Sequence, residues 1–334
     1  MATFKIYKLH FTSPLHISDA RDDGSVSMKT IQSDTLYAAL TSCLAKAGLE
    51  IPDNGDLGFT LSSMFPYYQE KNDSAPIYFL PMPFQTRLPH LKDVSKAKMV
   101  KRVLWVDSAL YSSVLQGKRF FDDSEEYLAH IHGAYLTTQP LPLETSDFIL
   151  SEGTQRVCLE SRTGQKDALP YYIDRITFMD HAGLYFMATG QTELLEKALS
   201  ILSLEGIGTD RHVGYGTFDF AHDSLTIDTP QDACHQLSLS VLIPSTENQL
   251  RQLLASDLVA YDFTRRGGWI TTYPYNTLRK NAVYAFLPGS VFCKTEENGN
   301  IGGIVNLSPK LEVKPRLHPI WRNGRALMLP IELS

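Results

Sequence analysis

The sequence predicts an α+β fold in two domains. A strand, a helix and a hairpin-like segment occur in that order twice, and the polar stretch Asp228-Thr-Pro-Gln-Asp232 separates the two occurrences. Length agrees, since 334 residues are long for one hydrophobic core and comfortable for two. With 43% hydrophobic and 20% charged residues, the composition is that of an ordinary globular chain.

The first strand is predicted over residues 3–11. Tyr7, Leu9 and Phe11 fall on one side, with Lys8 and His10 on the other. Phe4 and Ile6 break this register, which calls for a bulge or for burial of both faces. Pro14 ends the strand. Ser33-Asp34 is the expected N-cap of a helix carrying Leu36, Ala39, Leu40, Cys43, Leu44 and Ala47 on one face, with Gly48 as its stop. A second helix is expected over about 192–204, with Leu194, Leu195, Ala198, Leu199 and Leu202 inward. The stretch between Leu49 and Tyr185 is rich in proline, glycine and charge and reads as insertions into the first domain, not as a third one. The domains are thus 1–228 and 233–334.

The second domain opens with Leu237, Leu239 and Val241 alternating with Ser238 and Ser240, the pattern of a half-buried strand. Thr246-x-x-Gln249 is a capping box before Leu250, Leu253 and Leu254. A hairpin is expected next, with Tyr261–Thr264 on one side, Gly267-Gly268 near the turn and Trp269–Tyr273 on the other.

Charge and cysteines bound the function. A net charge of −6 argues against free-standing nucleic-acid binding, because phosphate neutralisation supplies most non-specific affinity. The charge is uneven, however. Arg87, Lys92, Lys96, Lys98, Lys101 and Arg102 form one basic run, Arg265-Arg266 and Arg279-Lys280 two pairs, and Lys310, Lys314, Arg316, Arg322 and Arg325 another run. Such a basic track on an acidic body suits RNA held jointly with other subunits. Cys43, Cys158, Cys234 and Cys293 are scattered and read as reduced, mostly buried thiols. The polar N-terminus lacks the apolar core of a signal peptide, and no apolar run reaches the roughly 20 residues that span a bilayer, so a soluble, intracellular protein is expected.

The densest motif is Gly206-Ile-Gly-Thr-Asp-Arg-His-Val-Gly-Tyr-Gly216, between the second helix and a strand. Glycine lets backbone take left-handed turns and approach another chain closely. A phosphate-cradling P-loop needs the opposite order, strand then helix, and a lysine that is absent; the dinucleotide fingerprint fails on the same order. Gly214-Tyr-Gly-Thr-Phe-Asp-Phe220 echoes an RNA-recognition-motif strand, but Thr217 stands where an aromatic is wanted. The residues alone leave RNA contact and a plain connector both open.

Other candidates are fewer. Arg156, Arg162 and Lys166 surround a Thr-Gly turn that suits a protruding hairpin with arginines able to reach phosphates or bases. His16 lies just past the first strand with no local orienting partner, so a histidine hydrogen-bonded at a strand end outweighs a general acid or base. Asp122-Asp123 with Glu125-Glu126 reads as a solvated acidic loop, because adjacent side chains point apart on any regular element. No catalytic constellation, metal site or cofactor motif is visible.

Several of these pieces together resemble the RAMP superfamily of CRISPR-associated proteins, and within it the Cas5-like fourth subunits of the Csm (type III-A) effector complex. The features are Pro14-Leu-His-Ile17, the helix at Ser33–Ala47, and the glycine-rich loop. Arg156…Arg162-Thr-Gly164 before Tyr171-Tyr172, Arg266-Gly-Gly-Trp269, Leu287-Pro-Gly-Ser-Val-Phe292 and His318-Pro-Ile-Trp-Arg-Asn-Gly-Arg325 complete the set. The resemblance implies two ferredoxin-like (RRM-like, βαββαβ) domains with an inserted thumb. It implies a cytoplasmic, prokaryotic, non-catalytic subunit that grips the repeat-derived 5′ tag of the CRISPR RNA (crRNA). Such a subunit bridges the large palm-domain (Cas10-type) subunit to the backbone RAMP subunit, meets target RNA through the complex and needs no membrane, metal or cofactor. By the same resemblance, Gly206, Gly208, Arg211, His212, Gly214, Tyr215 and Gly216 would face the RNA, as would His16, Arg156, Arg162, Arg265 and Arg266. Arg162 departs from the pattern, since Glu160-Ser161-Arg162 replaces the more usual Asp-Arg pair. The rival implied by related folds is a metal-independent crRNA-processing endoribonuclease using His16, assisted by Tyr37 or a lysine.

Overall fold

The computed structural model describes residues 1–333 apart from 19–25, 71–73, 85–92, 119–120, 122–125, 142–146, 159–168, 273–274, 296–300 and 310–317. The architecture is mixed α+β, and strand β1 (Ala2–Phe11) opens it. Tyr7, Leu9 and Phe11 enter one core while Phe4 and Ile6 enter a second. Pairing to its neighbours is unbroken, so the disturbed pattern comes from burial of both faces and not from a bulge.

Helix α1 (Ser33–Lys46) follows, then β2 (Phe59–Leu61), β3 (Phe65–Tyr68) and β4 (Ile77–Pro81). Next come α2 (Val94–Val100), β5 (Trp105–Asp107), α3 (Ser108–Leu115), β6 (Ile131–His132) and β7 (Tyr135–Leu136). The long strands β8 (Ile149–Cys158), β9 (Leu169–Phe178) and β10 (Ala182–Gly190) precede α4 (Thr192–Glu205) and β11 (Phe218–Ile227). The main sheet runs β11-β1-β10-β3-β4-β5-β7-β6, with β2 also on β10. Of its pairs, only β5–β7 is parallel. Helices α1 and α4 cover one face through Leu36, Leu40, Leu195, Leu199 and Leu202. The expected insertion from Leu49 to Tyr185 therefore takes in too much: β2, β3 and β10 belong to the sheet around β1, β4 to β7 extend that sheet outward, and β8–β9 form a separate ribbon.

Two details of α1 depart from expectation. Its N-cap is Gln32, with no side-chain cap bond. Ser33 is instead turned to the second half of the chain, where its hydroxyl accepts from Val241 N–H at 2.9 Å, and Asp34 is taken by two arginines. Ala47 is exposed at the C-cap, and Gly48, at φ +77°, ends the helix as expected.

The second half contains β12 (His235–Ser238), α5 (Glu247–Leu253), β13 (Phe263–Arg266), β14 (Val283–Phe286), β15 (Val291–Cys293), β16 (Ile304–Asn306), β17 (Trp321–Asn323) and β18 (Met328–Ile331). Its central sheet is β15-β12-β18, flanked by the ribbons β13–β14 and β16–β17. Leu237, Leu239, Leu329 and Ile331 share the second core with Ile6, Phe65, Tyr185 and the α3 residues Tyr111 and Val114. Ser238 and Ser240 are buried, against the half-exposed strand expected. Both hydroxyls find partners: Ser238 Oγ donates to the Ser240 carbonyl at 2.8 Å, and at the junction Ser240 Oγ donates to the Leu61 carbonyl at 2.7 Å and accepts from Leu327 N–H at 2.9 Å. A buried hydroxyl with its bonds made costs little, so serine can stand at an interior position.

Thr246 caps α5 as read, accepting from Gln249 N–H at 3.1 Å, but Gln249 reaches back to Ser245 N–H and not to Thr246. The Gly267-Gly268 pair is not a hairpin turn. Gly268, at φ +113°, breaks a longer ribbon that resumes with the Trp269–Arg279 pair. Cys43 is buried, Cys293 half-buried and Cys234 exposed beside the polar linker, so burial is less general than expected. No helix among the described residues is long and apolar enough to cross a membrane.

Candidate nucleic-acid interface

The glycine-rich loop, the end of β1 and the base of the β8–β9 hairpin form one structure. Phe11 stacks on Phe178 at 5.0 Å and leans on Phe218 at 5.7 Å, so the last residue of β1 fixes both the hairpin's base and the start of β11. Leu15 exchanges backbone hydrogen bonds with Ile176, at 2.8 and 2.7 Å. Asp174 completes the base, its carboxylate accepting from Ser27 N–H at 2.8 Å and from the Ser151 hydroxyl at 2.6 Å.

His16 lies inside this joint, only 2% exposed. Its Nδ1–H donates to the Asp174 carbonyl at 2.6 Å, and Nε2 faces the Ser18 hydroxyl at 3.1 Å. Its carbonyl accepts from Thr209 N–H at 3.0 Å. The expectation that His16 touches RNA is therefore corrected: its ring is buried and its nitrogens are engaged within the protein. Tyr37 is equally committed, donating to the Gly55 carbonyl at 2.9 Å and accepting from Leu57 N–H at 2.8 Å.

The four loop glycines divide by task. Gly206, Gly208, Gly214 and Gly216 all have positive φ. A Cβ on Gly208 would lie 2.4 Å from the His16 carbonyl oxygen, and one on Gly216 would lie 2.0 Å from that of Ile207. These residues, with Gly206 packed on Tyr215, let the loop fold onto itself and onto β1. Gly214 differs, with no atom within 4 Å of where its Cβ would be. It is exposed beside His212 and Val213, at the outer turn of the loop, where Arg211 is half-buried.

Asp210 and Tyr215 tie this turn to the hairpin. Arg156 on β8 pairs with Asp210 at 2.7 Å. Two guanidiniums approach the Tyr215 ring, Arg156 at 5.8 Å and Arg175 at 4.8 Å from its centre. Burial alone would lower the Arg156 pKa; bonds to Tyr171 and Tyr215 and the charge of Asp210 carry it upward. Register explains the cluster. Arg156 faces Tyr171 and Glu152 faces Arg175 across the ladder, and directly opposed residues share one face. Arg175 is a member that the sequence motifs do not include, although counting outward from the expected Thr163-Gly164 turn gives this register. Arg162 and Lys166 lie outside the described residues, as do Asp122, Asp123 and Glu125.

Arg265 and Arg266 part company. Arg265 is exposed on β13, opposite Tyr284. Arg266 points the other way and donates twice to Asp34, each bond 2.8 Å, so the structure moves it from the expected RNA surface into the junction. Arg322 pairs with the same carboxylate and donates to the Gly267 carbonyl, and Arg325 pairs with Asp56 at 2.6 Å. Much of the C-terminal basic run that is described thus holds the two halves together.

Comparison with known proteins agrees with the resemblance read from the sequence. A family model described as the CRISPR Csm4 C-terminal domain matches residues 231–331. The chain is 26% identical over 312 residues to the CRISPR system Cms protein Csm4 of Mycobacterium tuberculosis, covering 90% of each. Among solved structures it is similar to a chain of a Csm1-Csm4 cassette in complex with pppApA, at 19% identity and TM-score 0.57, over 100% of this chain and 99% of that one. A Csm3-Csm4 subcomplex of the type III-A CRISPR-Cas interference complex matches at 17% identity and TM-score 0.55, over 99% and 100%.

Proposed function

We propose that this chain, whose residues 231–331 match the Csm4 C-terminal domain, is the Csm4-type subunit of a type III-A CRISPR effector complex and holds crRNA without cutting it. The solved relatives stand in assemblies with Csm1 and with Csm3, and the same two partners are assigned here. In the order β11-β1-β10-β3, with α1 and α4 in the crossovers, the first half reads as a ferredoxin-like unit. The second half is assigned the same ancestry in shortened form, since no helix among the described residues lies between β15 and β18.

The observation that carries the reading is the joint at His16. The glycine-rich loop and the thumb-like hairpin are locked together there, and the histidine a nuclease would need is spent on the lock. Arg211, His212, Gly214 and Tyr215 on the loop, with Arg156 and Arg175 on the hairpin, are assigned to the RNA backbone of the 5′ tag, and Arg162 to the thumb beyond. Guanidinium and exposed backbone suit phosphate contacts, which position RNA without reading sequence.

Repeat RNA incubated with the purified chain in EDTA tests this. The RNA is expected to remain intact, with weak, salt-sensitive binding that rises when the partner subunits are added. Site-specific cleavage that disappears in His16→Ala would reverse the assignment.

A further inference from the structure

The ribbon β13–β14 carries a second surface that the thumb and loop do not account for. Directly opposed residues share a face, so Phe263, Phe286, Arg265 and Tyr284 lie on one side of this ladder and Thr264, Ala285, Arg266 and Val283 on the other. The second side is internal, with Ala285 buried and Arg266 on Asp34. The first side is open: Tyr284 is 62% exposed and Phe263 53%. Their rings meet edge to face at 5.9 Å, and Tyr261, 42% exposed, stands 6.5 Å from Phe263. Past the Gly268 break the ribbon ends in Trp269, 52% exposed, with the Arg279 guanidinium 4.7 Å from its ring.

Of the six aromatics between Tyr261 and Tyr284, Tyr261, Phe263, Trp269 and Tyr284 leave faces to water that a partner would cover. Charge selects the partner. Of the cations between Tyr261 and Tyr284, Arg266 and Lys280 are drawn in toward Asp34, which leaves Arg265 and Arg279 exposed beside the rings against Asp262, on a molecule of net charge −6. Single-stranded RNA offers both bases to stack on the rings and phosphates to meet the two guanidiniums. Exposed π-faces with guanidiniums beside them accept any base, as a sequence-tolerant platform requires.

We propose that the outer face of β13–β14, with Trp269 and Arg279 at its end, is a stacking platform for unpaired nucleotides of the bound RNA. The proposal rests on the RNA-holding function above and adds a site away from the thumb. Phe263, Tyr284 and Trp269 stack on bases, and Arg265 and Arg279 meet the adjoining phosphates.

The test uses the whole assembly co-purified with its RNA. Ultraviolet crosslinking and peptide mapping are expected to place RNA on the segments around Phe263, Trp269 and Tyr284. Phe263→Ala with Tyr284→Ala is expected to weaken RNA retention about tenfold or more, with the protein subunits still present and the melting point of the free chain nearly unchanged, both side chains being exposed. Crosslinks confined to the thumb and loop, with RNA retention unaltered, would overturn the platform while leaving the function intact. Loss of a protein subunit with the RNA retained would overturn it in favour of a protein docking face. Arg156→Ala with Arg175→Ala tests the underlying function separately, because those residues lie on the other half of the chain.

Discussion

The carboxylate of Asp34 is fully buried and accepts from Arg266 and Arg322, while Lys280 stands close enough to feel all three charges. Burial pushes the Asp34 carboxyl upward, but the two guanidiniums outweigh it and hold the group at about 2. A carboxyl lowered in the folded state contributes stability that is complete above its unfolded value near 4 and is lost as pH falls toward 2. Asp34→Asn is therefore expected to cost about 3–5 kcal/mol at neutral pH, since it strands two buried cations. It should also flatten the loss of stability between about pH 4 and pH 2, as urea melts across that range would record. Lys280 responds oppositely. Burial, then repulsion from Arg322, lowers it to about 8, so its charged form opposes folding at neutral pH. Stability should rise as pH climbs from about 8 to about 10. Lys280→Met should remove that rise and raise neutral-pH stability by roughly 1–2 kcal/mol.

The loop glycines give a second contrast among single residues. Gly216→Ala places a Cβ against the Ile207 carbonyl at positive φ, and a loss of about 2 kcal/mol or more is expected. Gly214→Ala meets no atom and carries only the left-handed strain, about 1 kcal/mol. Equal shifts in melting temperature for the two would contradict the division of tasks between them.

Among elements, the hairpin β8–β9 matters most, because its base is shared with β1 and the glycine-rich loop. Tyr215, with Arg156 and Arg175 against its ring, ties the loop to the hairpin, and Tyr215→Leu should cost about 1 kcal/mol. Hydrogen exchange should then quicken at the Leu15 and Ile176 amides, with those of β1's pairing to β11 unchanged. Much of this element scale was legible in the sequence: the first strand, both long helices and the pairing of β8 with β9 follow from period and turn chemistry. The failures share a cause. Ser33, Asp34, Ser240 and Arg266 are polar residues whose type points to caps, solvent or RNA, yet each has its partner across the junction of the two halves. No local pattern records a partner some 200 residues away. The glycine-rich loop shows the complementary limit, since its composition announced tight turns but could not say that three of the four glycines press on the protein itself.

For the whole molecule, the two halves are fused through a common core and a buried ion cluster, and the acidic body carries its cations in localised places. Such a chain gains little from binding RNA alone and much from sharing it with other subunits, because each subunit need neutralise only part of the backbone. The RNA carried by the assembly, recovered after co-expression with the neighbouring genes and sequenced, tests this most directly. A discrete short RNA with one defined 5′ end is expected, depleted by Arg156→Ala with Arg175→Ala while the protein subunits remain together. An assembly that forms without RNA, or RNA unaffected by that double substitution, would contradict the account.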